Sequence, residues 1–369
     1  MRDAASPLWS LALRPFYLLG AADMIVGVGW WAASLGGVVA PLDPWWHARE
    51  TLYGGVCAVA AGFLLTAVPK WTGRAVVGTA GLRALVALWC AARAEHLLGF
   101  GPGLLTLVFL VTLTGLVSRA VVAGGVARQI VLAVLLATLS ASWVAASGMI
   151  GAAAVPDGLW GGVSAFVLVI TMIGGRVIPT FIDNVVPTGR PSRWPALDVA
   201  VVALTAVALF LLAPSIEGGA GPVAAGMAAT AHLVRMIGWR PWRARRNLLL
   251  AVLPLGYLWV PLGFGLAASS AVPRIVALHA FAAGAMGMMM MALMTRSARG
   301  HTGRPLRASR LDAVCYAVIG LGAALRVVAG LVGDLRLLAL SGILWALGFA
   351  LFLVGWTRPL LSKRVDAPC

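Results

Sequence analysis

A succession of long apolar runs is the feature that most constrains this chain. Twelve runs come close to the roughly 20 residues that an α-helix needs to cross the hydrocarbon core of a bilayer. They lie at about 16–39, 47–69, 82–100, 103–122, 129–150, 159–178, 196–213, 219–237, 247–268, 273–295, 312–332 and 337–357. The turns between them are short, and no linker or change of composition indicates a second domain. The sequence therefore predicts an all-α membrane protein, with one polytopic transmembrane domain over residues 1–369.

The charged residues support a membrane location. Only 11% of the 369 residues are charged and 61% are hydrophobic, whereas soluble domains carry about 25% charged residues. The net charge of +16 comes from turns, where Lys and Arg mark the cytoplasmic side of a membrane. If both termini are cytoplasmic, 23 of the 28 Lys and Arg lie on that side, and the exceptions are Arg49, Arg93, Arg274, Arg326 and Arg336. The expected partner of this positive charge is membrane lipid, and nucleic-acid binding is not expected.

A Thr-Gly-Arg triplet recurs at residues 72–74, 188–190 and 302–304. The three arginines are 116 and 114 residues apart, which is one four-helix unit each time. This spacing predicts three parallel four-helix repeats, at roughly 1–122, 123–237 and 238–357. Parallel repeats are known in transporters, so transport of a small molecule or a metal complex is an alternative function.

The histidines are the main candidates for chemistry, because ionisable groups within spans are costly and mark functional sites. The chain has five, namely His47, His96, His232, His279 and His301. His47 and His279 lie near the outer ends of helices 2 and 10, and an alanine follows each of them. Two imidazoles that face each other across a gap suit a six-coordinate haem. His301 is a whole helix away from His279, so these two residues are not expected to share one metal.

Two arginines near the histidine pair, Arg49 and Arg274, are predicted to bind the haem propionates. This arrangement resembles the haem–copper oxidase and nitric oxide reductase superfamily, in which helices 2 and 10 of a twelve-helix bundle hold the low-spin haem. The resemblance stops at the second metal centre of that superfamily. Helices 6 and 7 of this chain have no histidine, and Ala277 occupies the position of the high-spin haem ligand. The reduction of oxygen or nitric oxide at such a centre is therefore not expected.

Other reactive side chains leave alternatives open. Methionines cluster on helix 10, where thioethers suit Cu(I) but flexible core packing is the simpler interpretation; they are Met286, Met288, Met289, Met290, Met291 and Met294. The four cysteines form no CxxC pair and predict neither a disulfide nor a zinc site. Asp23 and Glu50, in the first two spans, are either members of a proton relay or partners in ion pairs.

Several motifs make the chain similar to the NnrS family over nearly its whole length. In the first half they are Arg14-Pro15-Phe16, Trp46-His47-Ala48 and residues 62–74, which read GFLLTAVPKWTGR. In the second half they are Gly174-Gly175-Arg176, Leu278-His279-Ala280 and residues 300–306, which read GHTGRPL. The resemblance implies a protein of the bacterial inner membrane that binds haem and copper and acts in the response to nitric oxide and nitrosative stress, often in denitrifying bacteria.

The same resemblance identifies His47, His279 and His301 as candidate metal ligands. Two departures from the family pattern concern further ligands, because Arg49 and Pro254 stand where the family usually has histidines. Both substitutions weaken the copper prediction more than the prediction of haem b. The resemblance leaves open whether the protein is an enzyme and which reaction it would catalyse.

Overall fold

The computed structural model describes residues 6–125, 130–185 and 194–366. Within these ranges the chain forms helices and no strand, which confirms the all-α prediction. The twelve long helices are α1 Leu13–Leu35, α2 Pro44–Thr72, α3 Thr79–Leu98, α4 Leu104–Ala123, α5 Ile130–Ala146, α6 Val155–Val185, α7 Pro195–Leu211, α8 Ala220–Trp239, α9 Leu248–Ala267, α10 Arg274–His301, α11 Arg310–Val332 and α12 Leu335–Leu361.

Eight of the described helices are long and apolar enough to cross a membrane, namely α1, α2, α4, α6, α9, α10, α11 and α12. Helices α5 and α7 are also apolar but have 17 described residues each, about the lower limit for a span. A multi-pass membrane protein follows from these helices. The crossing of all twelve remains a prediction.

The repeated Thr-Gly-Arg triplet ends a helix. Gly73 follows α2 with a φ of 65°, and Gly303 follows α10 with a φ of 74°. Glycine adopts this left-handed conformation without the steric cost that a Cβ would bring, which makes it a common helix stop. The copy at residues 188–190 lies outside the described residues. The triplet is thus a local termination signal at the same end of two of the helices.

The helices pack so that α2, α6 and α10 contact one another. Each of these is the second helix of its predicted four-helix unit. Around them, α1 packs against both α2 and α12, while α8 packs between α7 and α9. Arg14 donates a hydrogen bond to the carbonyl of Leu360 at 2.7 Å, so the start of α1 and the end of α12 lie at one end of the bundle. We call it the terminal end, and the opposite end, where His47 and His279 lie, the cavity end.

Two of the inner helices share a backbone distortion. Helix α2 is π-helical over Glu50–Val56, and α10 is π-helical over Ala280–Met286. The segments are 230 residues apart, as are Arg74 and Arg304. In this register His279 is equivalent to Arg49 and not to His47. The register therefore differs by two residues from the one that aligns the two His-Ala pairs. Helix α6 continues through Val155–Val185 with no π segment. The three-unit repeat remains a prediction, and the shared distortion supports it for the first and third units.

Candidate functional site

A cavity of about 690 Å³ lies at the cavity end of the bundle. This volume is within the roughly 300–1,000 Å³ that is usual for small-molecule and cofactor sites. Helices α1, α2, α6, α10, α11 and α12 line the cavity, mostly with apolar side chains. His47 and His279 both line it, so the structure brings together the two histidines that the sequence singled out.

The imidazole of His47 has one ring nitrogen, Nε2, that is available to a ligand. Nδ1 of His47 lies 3.3 Å from the carbonyl oxygen of Gly27, and the ring stacks on Trp31 with ring centroids 5.0 Å apart. Because a carbonyl oxygen only accepts hydrogen bonds, the proton belongs on Nδ1 and leaves a lone pair on Nε2. Among the described residues, Nε2 of His47 has no hydrogen-bond partner. A fixed Nδ1–H is also how proteins orient the histidines that bind metals.

The second imidazole has its Nε2 engaged by an arginine. Nδ1 of His279 donates to the carbonyl of Ile275 at 2.7 Å, and Nε2 lies 2.9 Å from the guanidinium of Arg326. Since a guanidinium only donates, Arg326 occupies the lone pair that a metal would use. A metal bound by His279 therefore requires Arg326 to move away from Nε2.

Arg326 is a site residue that the charge pattern of the sequence marked only as a topological exception. It lies within the apolar span of α11 and lines the cavity. Among the described residues it has no carboxylate partner. The signal was present, because an arginine inside an apolar span is costly and marks a functional site by default.

The cavity carries positive charge without an acid to balance it. Arg274 and Arg326 line it, and its lining includes neither Asp nor Glu. The indole N–H of Trp31, also in the lining, is buried and has no acceptor among the described residues. Arg274 is exposed and Arg326 is partly buried, whereas the indole N–H of Trp31 is a buried donor, which is costly unless it is paired. These residues therefore fit a ligand with a large apolar body and anionic oxygen atoms, which is the chemistry of a porphyrin dicarboxylate.

The other predicted haem- and metal-binding residues lie apart from this cavity. Arg49 is outside its lining and pairs with Asp43 at 3.4 Å. His301 is at the terminal end, about 33 Å from His279 at helical rise, and its Nε2 lies 3.3 Å from Nζ of Lys70. Nearby, hydrogen bonds from Arg364 hold the pKa of Asp366 below its usual range. The three histidines predicted as metal ligands thus occupy two separate places.

A buried ion pair lies beside the cavity and bears on an alternative that the sequence left open. Glu50 is fully buried, and Nη1 of Arg93 donates to its carboxylate at 2.7 Å. Nη2 of Arg93 donates to Thr106 at 2.7 Å. Arg93 and the carboxyl of Asp23 both crowd Gly54, where an added Cβ would meet them at 2.8 and 2.5 Å. Glu50 is therefore an ion-pair partner, and glycine at position 54 makes room for the cluster.

The described residues contain no group of three or more His, Cys, Asp or Glu side chains placed to hold a metal ion. Cys57, Cys90 and Cys315 are free thiols, and Cys369 lies outside the described residues. The methionines of α10 are buried in the core, as the packing interpretation expects. A copper centre built from histidine, cysteine and carboxylate ligands has no support in this part of the chain.

One further histidine lies in a separate polar network on α7, α8 and α9. His232 is fully buried, with Nε2 2.9 Å from Thr205 and Nδ1 2.8 Å from the hydroxyl of Tyr257. Arg235 donates to the same hydroxyl at 3.1 Å and to Asp198 at 2.6 Å. Both nitrogens of His232 are satisfied by protein groups, so this residue is structural.

The fold and the cavity define a polytopic helical membrane protein with a cationic, imidazole-lined site at one end of its bundle. The family described as NnrS protein matches residues 7–364, and the chain therefore belongs to the NnrS family. A comparison with curated proteins gave no match. Membership in this family supports a role for this membrane protein in the nitric oxide response.

Proposed function

We propose that this protein holds one haem b in the large cavity between α2 and α10, and that His47 and His279 are the residues that would hold it. In this role it acts in the response to nitric oxide and nitrosative stress at the bacterial inner membrane. The observation that carries the proposal is the pair of imidazoles on one apolar cavity, where the charged side chains among the described lining residues are arginines. When bound, the haem supplies a one-electron redox centre.

The chain's own residues have distinct parts in this proposal. Gly27 fixes the tautomer of His47, and the stacked Trp31 holds its ring plane. Arg274 and Arg326 attract the carboxylates of the ligand, which lowers the cost of burying both signs of charge. Arg326 now bonds to Nε2 of His279, so it would have to release this nitrogen for His279 to hold the haem. Most of the cavity wall is apolar and would pack against the body of the ligand.

The proposal concerns haem alone and assigns no copper site. His301, the remaining candidate, faces Lys70 rather than a second ligand. The described residues also bring no three metal-binding side chains together.

The test is the absorption spectrum of the purified protein, oxidised and reduced, with a pyridine haemochrome assay. We expect bands of one b-type haem, with haem affinity at least about 100-fold lower in His47→Ala and in His279→Ala, because loss of even an outer partner of a metal ligand costs 10–100-fold. His96→Ala is the matched control, since His96 lies at the same end but outside the cavity lining.

A colourless protein after expression with ample haem would overturn the proposal. So would full haem content in both histidine variants. In either case the transport alternative would come first, and gradient-dependent flux of an anionic solute into vesicles would test it, because the cavity is cationic.

A further inference from the structure

A second cavity of about 90 Å³ lies deeper in the bundle, between α2 and α10 on one side and α5 and α6 on the other. Its lining is apolar except for Tyr17, and the hydroxyl of Tyr17 already bonds to Ser297 at 2.9 Å. The volume exceeds the roughly 30 Å³ that a water molecule occupies in the liquid, but a buried water needs two to four polar partners. This cavity offers none, so it is a dry space.

The two cavities meet at two residues. Val56 and Met286 line both of them. Each is the last residue of a π-helical segment, Glu50–Val56 in α2 and Ala280–Met286 in α10. Single π turns are frequent at functional sites because they redirect the side chains that follow. The matched distortions of α2 and α10 therefore end at the contact between the large and the small cavity.

The position of the small cavity gives it access to the bilayer. Met286 is seven residues beyond His279, and Leu293 fourteen, or about 10 and 21 Å deeper along the helix. Phe63, Ile170 and Leu293 line the cavity and are only partly buried. Their exposed surface at this depth in a spanning helix is apolar. A nonpolar molecule dissolved in the membrane would therefore meet no polar surface on a path to the cavity past these side chains.

The apolar lining and the volume of the small cavity determine which kind of molecule it can bind. An ion or a polar solute would lose its hydration with no partner in return, at a cost of several kcal/mol or more. A drug-sized molecule is too large for about 90 Å³. Dry apolar cavities instead bind small uncharged guests, such as xenon. The thioether side chains of Met286, Met289 and Met290 adapt their shape to such a guest.

We propose that the small cavity is a binding site for an uncharged diatomic gas, next to the large cavity. The identification of this gas as nitric oxide rests on the proposed function. The site itself rests on its volume, its dry lining and its junction at Val56 and Met286.

The experiment uses molecular oxygen as a paramagnetic, nonpolar probe and needs no haem. The full-length protein is labelled with ¹³C at the methionine methyl groups and placed in lipid nanodiscs, and methyl relaxation is compared under oxygen and nitrogen. The chain supplies matched controls, since Met291 and Met294 are on the same helix and buried but line neither cavity. We expect oxygen to enhance the relaxation of the Met286, Met289 and Met290 methyls several-fold more than that of the controls.

Two variants sharpen the result. Ala165→Phe places a ring in the small cavity and should reduce the enhancement to the level of Met291. Val134→Phe on α5 points away from both cavities and should change nothing. Equal enhancement at all the methionines, or an enhancement that survives Ala165→Phe, would overturn the gas site. Strong NOEs from lipid acyl chains to the Met289 methyl would overturn it too. None of these results depends on haem, so failure of the gas site and failure of the haem proposal are distinguishable.

Discussion

The polar groups around the large cavity differ from those around His232 in how completely the protein satisfies them. The side chain of His232 bonds through both nitrogens, and its partner Tyr257 also accepts from Arg235. At the cavity end, the indole N–H of Trp31 and one carboxylate oxygen of Glu50 are buried without a partner among the described residues. Buried polar atoms in native proteins are nearly always paired. Unlike His232, the polar groups beside the large cavity therefore have hydrogen-bonding capacity left for a further partner.

The largest effect should come from the buried ion pair beside the cavity. Arg93→Leu removes the arginine partner of the fully buried Glu50 and leaves only the imidazole of His96 among the described basic groups within 4 Å, at 3.5 Å from the same oxygen. Breaking a buried pair in this way costs about 3–5 kcal/mol. We expect a loss of that size in the free energy of unfolding, measured by denaturation in detergent. The control is Arg49→Leu, whose pair with Asp43 is partly exposed and should contribute within about 1 kcal/mol. Equal losses in the two variants would show that burial does not distinguish the pairs.

The next effect separates the two kinds of histidine. In His232→Phe, Thr205 keeps its bond to the carbonyl of Val201 at 2.6 Å, and Tyr257 keeps Arg235. The protein should lose about 1–3 kcal/mol of stability, the usual cost of a buried group that loses its partner, while its haem spectrum stays unchanged. Thermal unfolding and the absorption spectrum of the same sample check both parts. A changed spectrum would place His232 in the functional site and break the comparison.

The smallest effect concerns Arg326. A positive charge near the iron disfavours its oxidised form, so Arg326→Met should lower the reduction potential of the haem. At an effective dielectric constant near 20, two charges about 10 Å apart interact by somewhat less than about 2 kcal/mol, which corresponds to tens of millivolts. Redox titration followed by absorbance measures the shift. Arg336→Met is the control, since Arg336 is exposed at the same end and does not line the cavity. An unchanged potential in Arg326→Met would place this cation away from the iron.

Much of this arrangement could be predicted from the sequence because depth in a membrane follows from residue spacing. The apolar runs placed His47 and His279 at the same end of helices 2 and 10, and the structure puts both on one cavity. The bond between Arg326 and His279 depends on how α11 packs against α10, which spacing along the chain does not specify. The sequence alone could not decide whether Glu50 belongs to a proton relay or to an ion pair. That decision likewise required the position of Arg93 on α3.

Five arginines depart from the predicted cytoplasmic placement of positive charge. Four of the five exceptions, Arg49, Arg93, Arg274 and Arg326, bind an acid or line the large cavity. The remaining one, Arg336, is exposed at the start of α12. The exceptions to the predicted charge pattern thus include both arginines of the large cavity, whereas binding an acid does not distinguish them, since Arg235 and Arg299 also bind acids.

The π segments of α2 and α10 also affect which residues of these helices lie on the same face. A π turn holds about one more residue than an α turn, and one residue corresponds to about 100° of rotation about the axis. A helical wheel drawn straight through Pro44–Thr72 or Arg274–His301 therefore loses phase at these segments. It assigns the residues beyond Val56 and Met286 to the wrong face. Sequence comparisons and engineered substitutions on either helix should be counted in two separate frames, one on each side of the π turn.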